Sequence, residues 1–415
     1  MHIEGPGNRS GNLTAIQRLD GINRSLMPIL EKIEASADSI SYSILESIGL
    51  RNKMRKILHI TESLGGGVLH CVALLANEQA RAGHSVTLVH SVRSDTPSES
   101  ELVRMFDNSV RRIVLPMKRE IGLSDLRSFV SVLGVVCRGK FDAIHSHSSK
   151  AGALVRVASF MTLQIRKSCY SPHGFSFLRR DVPEKQQRLF LMVEKTLHRL
   201  GGKIAACSPT EKLYAEQYLG EGRVYLLENA IDTALINETR RNGQRSTPRV
   251  VTAGRVAYQK APWRFVELAR RVAPHEAEFV WLGDGDNTAK REWFANSRVL
   301  VSGWLDKQRL MGELTDSDVF VLTSLWEGMP IALIEAQAMG IPAVATNIVG
   351  NKDVIVHGET GFLAGNDEEL LHYTKKLLSD PQLRQSMGRA ARRNAVNRFS
   401  KDRFLKESVL IYFGA

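Results

Sequence analysis

The stretch SLWEGMPIALIEAQAMG, residues 324–340, predicts a sharp turn that leads from a buried strand into a helix. The apolar run VFVL at 319–322 has the length and character of a fully buried strand. Gly328 permits a tight turn after it, and Gly340 suits the residue just beyond the end of a helix. The apolar run at 341–345 then predicts a second strand. Strand, helix and strand in this order are typical of a parallel sheet, so the predicted fold class is α/β.

Two glutamates of this stretch lie eight residues apart, on either side of the predicted junction between loop and helix. Glu327 belongs to the loop at the carboxyl end of the strand. Glu335 lies about one and a half turns into the helix, roughly 8 Å along its axis. Two carboxylates so placed can hold two ends of one polar ligand.

A pair of cations follows another predicted strand, RVVTAGR at 249–255. Arg255 ends that strand, and Lys260 lies in the loop before Pro262, which suits the first position of a helix. Parallel α/β sheets bind ligands outside the carboxyl ends of their strands, where both cations are expected. The planar fork of arginine and the compact charge of lysine suit a diphosphate. Each cation alone would more often be a solvated surface charge, but together with the glutamate pair the two predict a ligand site.

Several further motifs accompany GRVAYQK and EGMPIALIEA, and their order along the chain is more specific than any one of them. They are SLGGG at 63–67, PHGF at 172–175, ENAID at 228–232, WLGDGD at 281–286 and GETGFL at 358–363. The ordered set resembles the family 4 retaining glycosyltransferases of the GT-B type over about residues 54–399. The resemblance implies the GT-B fold, in which two Rossmann-like α/β domains face a central cleft and the C-terminal helix crosses back to the first domain.

The resemblance also implies which residues bind the donor, a nucleoside diphosphate sugar that acts as co-substrate without any further cofactor. Arg255 and Lys260 match the residues that bind the donor diphosphate. Glu335 matches the residue that holds the nucleotide ribose. Gly66 and Gly67 match the loop that lies beside the diphosphate.

Two catalytic residues are implied by the same resemblance. His173 matches the histidine near the reacting centre, and Glu327 matches the glutamate that contacts the transferred sugar. The chain departs from the family at Asn229-Ala230, where Asn-Gly is usual. A left-handed turn is less favourable at an alanine, so a different local hinge geometry is expected there.

Motifs that could indicate a metal ion have structural interpretations. Asp284 and Asp286 spell D-x-D, but they lie in a Gly-Asp-Gly turn. His145 and His147 have no carboxylate or thiol placed to complete a metal site. No metal site is therefore predicted. The segment SPTE at 208–211 predicts a capped helix start, with a structural role alone.

The glycine-rich first loop is not a dinucleotide fingerprint. The pattern that starts at Gly65 reaches His70 where Gly or Ala is required. The second predicted strand ends at His90-Ser91, without a carboxylate to hold a ribose. A nicotinamide-dependent dehydrogenase is therefore not predicted.

Positive charge is concentrated in one part of the 415-residue chain, whose formal net charge is +12. Residues 54–228 carry 25 Lys and Arg against 16 Asp and Glu, a net charge of +9. Basic residues are densest at 104–119 and 179–188. Such asymmetry indicates an anionic partner, which could be a membrane surface, a phosphorylated acceptor or nucleic acid. A solvated basic surface is the alternative.

Four regions are predicted. They are an N-terminal extension of uncertain status at 1–53, an acceptor-side Rossmann-like domain at 54–240, a nucleotide-sugar-binding domain at 249–395, and a C-terminal helix at 396–415 that packs on the first domain. The polar stretch 240–248 is the predicted linker. Apolar residues at helical spacing predict one amphipathic helix in the extension, although a wrongly assigned start codon explains the extension equally well.

The predicted location is the cytoplasm, with peripheral association at the inner face of the cytoplasmic membrane. No apolar run approaches the ~20 residues that a membrane-spanning helix needs. The N-terminus lacks the basic-then-apolar order of a signal peptide. The four cysteines lack metal-ligand spacing, which predicts reduced thiols.

The resemblance implies transfer of a sugar, with retention of its anomeric configuration, from a nucleoside diphosphate donor to a glycan acceptor in cell-surface polysaccharide biosynthesis. Because no metal site is predicted, the transfer is expected to be metal-independent. A polyprenyl-diphosphate-linked acceptor on an anionic membrane fits the basic first domain. The alternatives are a nucleotide-sugar epimerase of the same fold and a non-catalytic basic binding protein. Nucleic acid is not an expected partner, because aromatic residues are only 7% and no RNP, zinc-finger or helix-turn-helix pattern is present.

Overall fold

The computed structural model describes residues 53–93, 95–117, 122, 124–233, 236 and 246–414. The chain from Arg55 onward forms one compact unit. The helix predicted within 1–53, part of the basic cluster at 104–119 and most of the predicted linker 240–248 lie outside the described residues.

The first half of the described chain forms a seven-stranded parallel sheet in the order β3-β2-β1-β4-β5-β6-β7. Its strands are β1 Lys56–Thr61, β2 Ser85–His90, β3 Arg111–Val114, β4 Ala143–His147, β5 Ser168–Ser171, β6 Lys203–Ala206 and β7 Val224–Leu226. They alternate with the helices α1 Gly66–Arg81, α2 Glu99–Met105, α3 Ser124–Gly139, α4 Ser149–Met161, α5 Glu184–Arg199 and α6 Pro209–Leu219. Every residue of β1 after Lys56 is buried, as expected for a strand covered by helices on both faces.

The second half forms a six-stranded parallel sheet in the order β10-β9-β8-β11-β12-β13. Its strands are β8 Arg249–Ala253, β9 Glu278–Leu282, β10 Leu300–Val301, β11 Val319–Leu322, β12 Ala343–Thr346 and β13 Gly361–Ala364. Its helices are α7 Pro262–Arg271, α8 Asn287–Phe294, α9 Lys307–Thr315, α10 Ile331–Ala338, α11 Asn351–Val354, α12 Asp367–Ser379 and α13 Pro381–Arg398. The predicted turn from strand to helix at 324–340 corresponds to β11 followed by α10, and Gly340 has the left-handed backbone (φ 73°) expected after a helix end.

Each sheet has one point at which its strand order reverses. This point lies between β1 and β4 in the first sheet and between β8 and β11 in the second. Open α/β sheets bind ligands in the crevice at such points, beyond the carboxyl ends of the strands. The glycine-rich loop follows β1, and the loops with the predicted cations and glutamates follow β8 and β11. All these segments therefore lie where ligands bind.

The last helix, α14 Lys401–Phe413, returns to the first sheet. Its residues Phe404, Ile411 and Tyr412 are buried in one apolar cluster with Ile57 of β1 and Leu75 of α1. This burial confirms the predicted crossing of the C-terminal helix to the first domain. None of the four cysteines forms a disulfide.

The chain passes between the two sheets twice, and the two passages lie side by side. The N–H of Ile231 in the first passage donates to the Phe399 carbonyl in the second at 2.9 Å. The Lys401 ammonium lies 3.0 Å from an Asp232 carboxylate oxygen. Arg398 pairs with Glu228. The two passages are therefore joined by backbone and ionic contacts.

Candidate functional site

An ion pair joins the loops after β8 and β11 and contains two predicted site residues. The Lys260 ammonium lies 2.6 Å from Glu327 Oε1. The Ser324 hydroxyl donates to the same oxygen at 2.6 Å. Glu327 is only 8% exposed, so its carboxylate depends on these donors in place of water.

The other predicted phosphate ligand, Arg255, reaches across the cleft to the first domain. Its Nη1 atom lies 2.6 Å from Asp95 Oδ2. Asp95 also lies against the glycine-rich loop, because a Cβ atom added to Gly65 would come within 2.6 Å of the Asp95 carbonyl oxygen. An aspartate of the chain itself thus faces Arg255 beside this loop.

Two helix N-termini meet next to these cations. Helix α1 begins at Gly66, whose φ of 53° is left-handed, and α10 begins at Ile331. The residue before each helix makes no side-chain capping hydrogen bond. A Cβ atom on Gly67 would lie 3.9 Å from Ile331 Cγ1, so the two N-termini are in contact range. Their unpaired N–H groups and helix dipoles favour an anion at this place.

Glu335 is buried in the second turn of α10. Its carboxylate pairs with Lys307 at the start of α9, and His70 Nδ1 of α1 lies 3.8 Å from Glu335 Oε1. Burial lowers the pKa of His70 to about 4, so its ring is neutral near pH 7. Sequence reasoning missed Lys307 and His70, because neither belongs to a motif and each comes from a different part of the chain.

His173 lies on a loop that touches the Glu327 loop. A Cβ atom added to Gly328 would lie 2.7 Å from both the Gly174 nitrogen and the His173 carbonyl carbon. Only glycine allows the two backbones to approach so closely. His173 itself has a left-handed backbone (φ 52°), which is uncommon for a residue with a side chain. The structure thus brings the two residues implied as catalytic onto adjoining loops.

The segment 208–211 has the structural role that its capping pattern predicts, and this role extends to the loop of His173. Ser208 accepts from the Glu211 N–H at 3.2 Å, as the helix-capping pattern predicts. The Glu211 carboxylate, however, accepts from the N–H groups of Gly174 and Cys207, both at 2.7 Å. Glu211 therefore anchors the loop of His173, a contact between distant residues that a local capping pattern does not reveal.

The departure at Asn229-Ala230 is accommodated without a left-handed residue. Ala230 is not among the described residues with positive φ, and it is fully buried. The Asn229 amide donates to the Met329 carbonyl at 2.8 Å, which links this passage between the domains to the Glu327 loop.

Both aspartates of the D-x-D sequence take part in local structure. Asp284 lies 2.6 Å from the Lys290 ammonium and accepts from the Gly285 N–H at 2.8 Å. Asp286 caps α8 by accepting from the Thr288 N–H at 2.8 Å. These contacts agree with the interpretation of the pair as a turn.

The structure brings His145 and His147 together with His59, which sequence reasoning had not connected with them. Potential ligand atoms of the three rings lie within 4.8 Å of one another, and all three side chains are buried. Every ring nitrogen of the three, however, already has a hydrogen-bond partner. A metal ion would have to displace these partners, so the geometry favours a hydrogen-bonded network.

A cavity of about 540 Å³ opens beside Glu327, between α5 and α6 on one side and loops of the second domain on the other. Its lining combines aromatic and cationic side chains. They include Phe177, Tyr214, Tyr218, Trp326, Arg180, Arg188 and Lys352. Aromatic faces suit sugar rings and cations suit phosphates.

No helix among the described residues has both the length and the apolar character required to cross a membrane.

Two α/β domains whose strand-reversal points face each other, with cations, buried glutamates and a histidine between them, define an enzyme of the GT-B class. The model of the family described as Glycosyltransferase Family 4 matches residues 65–235, and that of Glycosyl transferases group 1 matches residues 236–394. The chain therefore contains a Glycosyltransferase Family 4 domain followed by a Glycosyl transferases group 1 domain, which together span residues 65–394.

Known proteins agree with this assignment. The chain is 29% identical to the UDP-Gal:alpha-D-GlcNAc-diphosphoundecaprenol alpha-1,3-galactosyltransferase of Escherichia coli over 325 residues, which cover 72% of this chain and 82% of that protein. It is 25% identical to the capsular polysaccharide biosynthesis glycosyltransferase CapM of Staphylococcus aureus, over 78% of this chain and 89% of that protein. Sucrose-phosphate synthase of Thermosynechococcus elongatus has a similar structure, with a TM-score of 0.72, 20% identity and coverage of 86% of this chain and 98% of that chain. This likeness shows the GT-B fold.

Proposed function

We propose that this glycosyltransferase moves a sugar from a nucleoside diphosphate sugar to a polyprenyl-diphosphate-linked glycan in bacterial cell-surface polysaccharide biosynthesis. It retains the anomeric configuration and needs no metal ion. The observation that carries the proposal is the convergence of two helix N-termini with Arg255 and Lys260, beside Glu327 and His173. The names of the two relatives support the pathway and the lipid-linked acceptor.

The donor diphosphate binds between the first turns of α1 and α10. Gly66 and Gly67 let its oxygens approach the backbone N–H groups, and Arg255 and Lys260 supply positive charge. Arg255 exchanges Asp95 for a phosphate oxygen when the donor binds. Glu335 accepts hydrogen bonds from the ribose hydroxyls in place of its contact with Lys307.

Transfer proceeds by attack of an acceptor hydroxyl on the face of the sugar from which the nucleotide leaves. The leaving phosphate takes the acceptor proton as the new glycosidic bond forms, so no side chain has to act as nucleophile. Negative charge grows on the phosphate as its bond to the sugar breaks. Arg255, Lys260 and the helix N-termini stabilise this charge, and Glu327 orients the transferred sugar. Because these groups can neutralise the diphosphate, transfer requires no divalent cation.

The acceptor occupies the 540 Å³ cavity beside Glu327. Tyr214, Tyr218 and Trp326 provide faces for the acceptor sugar, and Arg180 and Arg188 provide charges for its diphosphate. Both kinds of group are needed for a glycan that is attached to a lipid diphosphate.

The enzyme docks on the inner face of the membrane through the outer side of α5. Three apolar residues of this helix, Leu189, Met192 and Val193, are 49%, 59% and 41% exposed. Exposed cations flank them at Lys185 and Lys195. A helix with such a mixed apolar and basic face is typical of one that lies in a membrane interface. Other residues of the same helix, among them Arg188 and Leu191, line the acceptor cavity, so docking would bring the cavity close to the lipid-linked substrate.

Transfer is tested with a panel of UDP-sugars and synthetic polyprenyl-diphosphate N-acetylglucosamine, and NMR gives the anomeric configuration of the product. Retention and full activity in excess EDTA are expected. Inversion, or a loss of activity that manganese restores, would contradict the mechanism. Isomerisation of the donor without an acceptor would instead identify an epimerase.

Docking is tested by sedimentation with anionic and neutral vesicles at low and high salt. The wild type should bind anionic vesicles at low salt, and the Met192→Glu/Val193→Glu variant should bind them much less. Tyr225→Glu is the matched control, because Tyr225 is 38% exposed on β7 and lies outside α5. Equal binding of the α5 variant and the wild type would exclude this helix as the docking surface.

A further inference from the structure

A chain of buried hydrogen bonds runs from the C-terminal helix to His173. His173 Nε2 lies 3.0 Å from His147 Nδ1, and His147 Nε2 lies 3.0 Å from His59 Nδ1. His59 Nε2 lies 2.8 Å from Gln79 Oε1. The Gln79 amide then donates to the Ser408 hydroxyl of α14 at 3.2 Å. Four of these five residues are at most 2% exposed, and His173 alone reaches the cleft side.

The contact with Ser408 determines which group donates and which accepts in each of these hydrogen bonds. Ser408 donates its one proton to the Leu405 carbonyl at 2.8 Å, so its oxygen can only accept from Gln79. The Gln79 amide nitrogen must then face Ser408, and the Gln79 oxygen must face His59. His59 therefore carries its proton on Nε2, because an amide oxygen cannot donate.

The protonated nitrogen of each histidine determines which nitrogen is protonated in the next histidine. Burial lowers the pKa of His59 to about 4 and that of His147 well below its usual value, so both rings are neutral near pH 7. A neutral ring protonated on Nε2 has a bare Nδ1, which accepts from the Nε2–H of the following ring. Burial also lowers the pKa of His173 to about 4. His173 is thus the third Nε2–H donor in the row.

The groups around the chain are compatible with this direction, and Tyr412 is a second hydrogen-bond partner of the Gln79 side chain. His145 packs against His147 with a ring-centroid distance of 4.0 Å, but its own nitrogens contact Tyr412 and Ser171. The stacked rings of His59, His147 and His173 have centroid distances of 5.3 Å at both steps. This packing limits rotation of each ring.

We propose that His147, His59 and Gln79 are positioning residues that fix His173 as the Nε2-protonated tautomer and leave its Nδ1 as a hydrogen-bond acceptor for the substrate. The group that donates to this Nδ1 atom is a hydroxyl group of the bound sugar, and this assignment rests on the proposed function. The anchor is Ser408, so the C-terminal helix controls the chemistry of a residue in the cleft. His173 keeps its orientation through this chain and through Glu211, which holds the next residue, Gly174.

The direct test is the tautomeric state of each ring, measured by long-range ¹H–¹⁵N NMR of protein labelled at histidine and assigned with single histidine variants. His59, His147 and His173 should all be neutral and protonated on Nε2 at pH 7. Protonation of any of them on Nδ1, or a positive charge at pH 7, would overturn the proposal. This measurement needs no substrate, so it remains decisive even if the proposed transfer reaction is not observed.

The variants Ser408→Ala and Gln79→Met remove the anchor and should give mixed tautomers at His173. Both variants should lower kcat by about tenfold and leave the KM for the donor within about twofold, because the site is present but its acceptor nitrogen is no longer fixed. Gln164→Leu is the matched control, since Gln164 is a half-buried glutamine of the same domain that bonds to the Val136 carbonyl. Wild-type tautomers in both anchor variants would refute the role of Ser408 and Gln79. Ser408→Ala removes a single oxygen, so a failure of Gln79→Met to fold would not prevent the test.

Discussion

Replacement of Lys260 by alanine is expected to harm the enzyme in two separable ways. The ammonium lies 2.6 Å from a carboxylate oxygen of Glu327, and the two side chains are 16% and 9% exposed. Lys260→Ala therefore removes a phosphate ligand and also leaves a nearly buried carboxylate without its cation. The Ser324 hydroxyl remains as a donor to that carboxylate, so the loss is partial.

The two effects have different magnitudes. Loss of the cation of a fully buried ion pair costs about 3–5 kcal/mol. Because Ser324 still donates, we expect a decrease of about 2 kcal/mol in the free energy of unfolding, or roughly 30-fold in the folding equilibrium. Loss of a group that stabilises growing charge on the leaving phosphate raises the barrier by about 2–4 kcal/mol, which lowers turnover roughly 30- to 900-fold.

A double variant separates stability from chemistry. Lys260→Ala/Glu327→Gln removes the unpaired charge and should recover most of the lost stability, while turnover stays low. The measurements are urea unfolding, calorimetric titration with donor, and initial transfer rates. Lys290→Ala is the control, because it removes another lysine 2.6 Å from an aspartate in the same domain and should change stability by less than about 1 kcal/mol. Unchanged donor affinity and turnover in Lys260→Ala, or a double variant no more stable than the single one, would refute the reasoning.

Three further predictions concern the donor site and its neighbouring loops. Glu335→Gln should weaken calorimetric binding of bare UDP, whereas Glu327→Gln should leave this affinity intact and lower kcat; equal losses of affinity would disprove the division of roles. Asp95→Asn should release Arg255 for the donor, so that calorimetric titration in low salt gives a donor affinity up to roughly fivefold higher. A lower donor affinity would show that Asp95 assists binding. Gly328→Ala should lower kcat strongly in a protein that still folds by circular dichroism, because the added Cβ atom meets backbone 2.7 Å away; wild-type kcat would mean that the adjoining loop moves freely.

Local patterns were sufficient to predict much of the fold. Strand β11 has the bounds predicted from VFVL at 319–322, and Pro262 opens α7 as its fixed φ favours. The α/β class and the returning C-terminal helix are confirmed. The α/β class follows from residues that are close together in sequence, whereas the returning helix was implied by the family resemblance.

Contacts between distant segments could not be predicted in the same way. Arg255 and Asp95 are 160 residues apart, and no motif links them. The chain that ends at His173 had a partial signal in the pattern His145-Ser146-His147, whose two histidines lie on one face of a strand. The pattern can be connected with His59 only when β1 is known to pair with β4, because this pairing places His59 opposite His145. Glu211 was interpreted from its local capping pattern, while its carboxylate contacts a loop 37 residues away.

The paired passages between the domains determine how the cleft can open. A single flexible connecting segment would let one domain rotate relative to the other in any direction. Here a hydrogen bond between Ile231 and Phe399 and an ion pair between Asp232 and Lys401 join the two passages. Two connecting segments that are bonded to each other resist twisting but can still bend, as a hinge does. We therefore expect the cleft to open about one axis, so that each closure would return the glycine-rich loop to the same position beside α10.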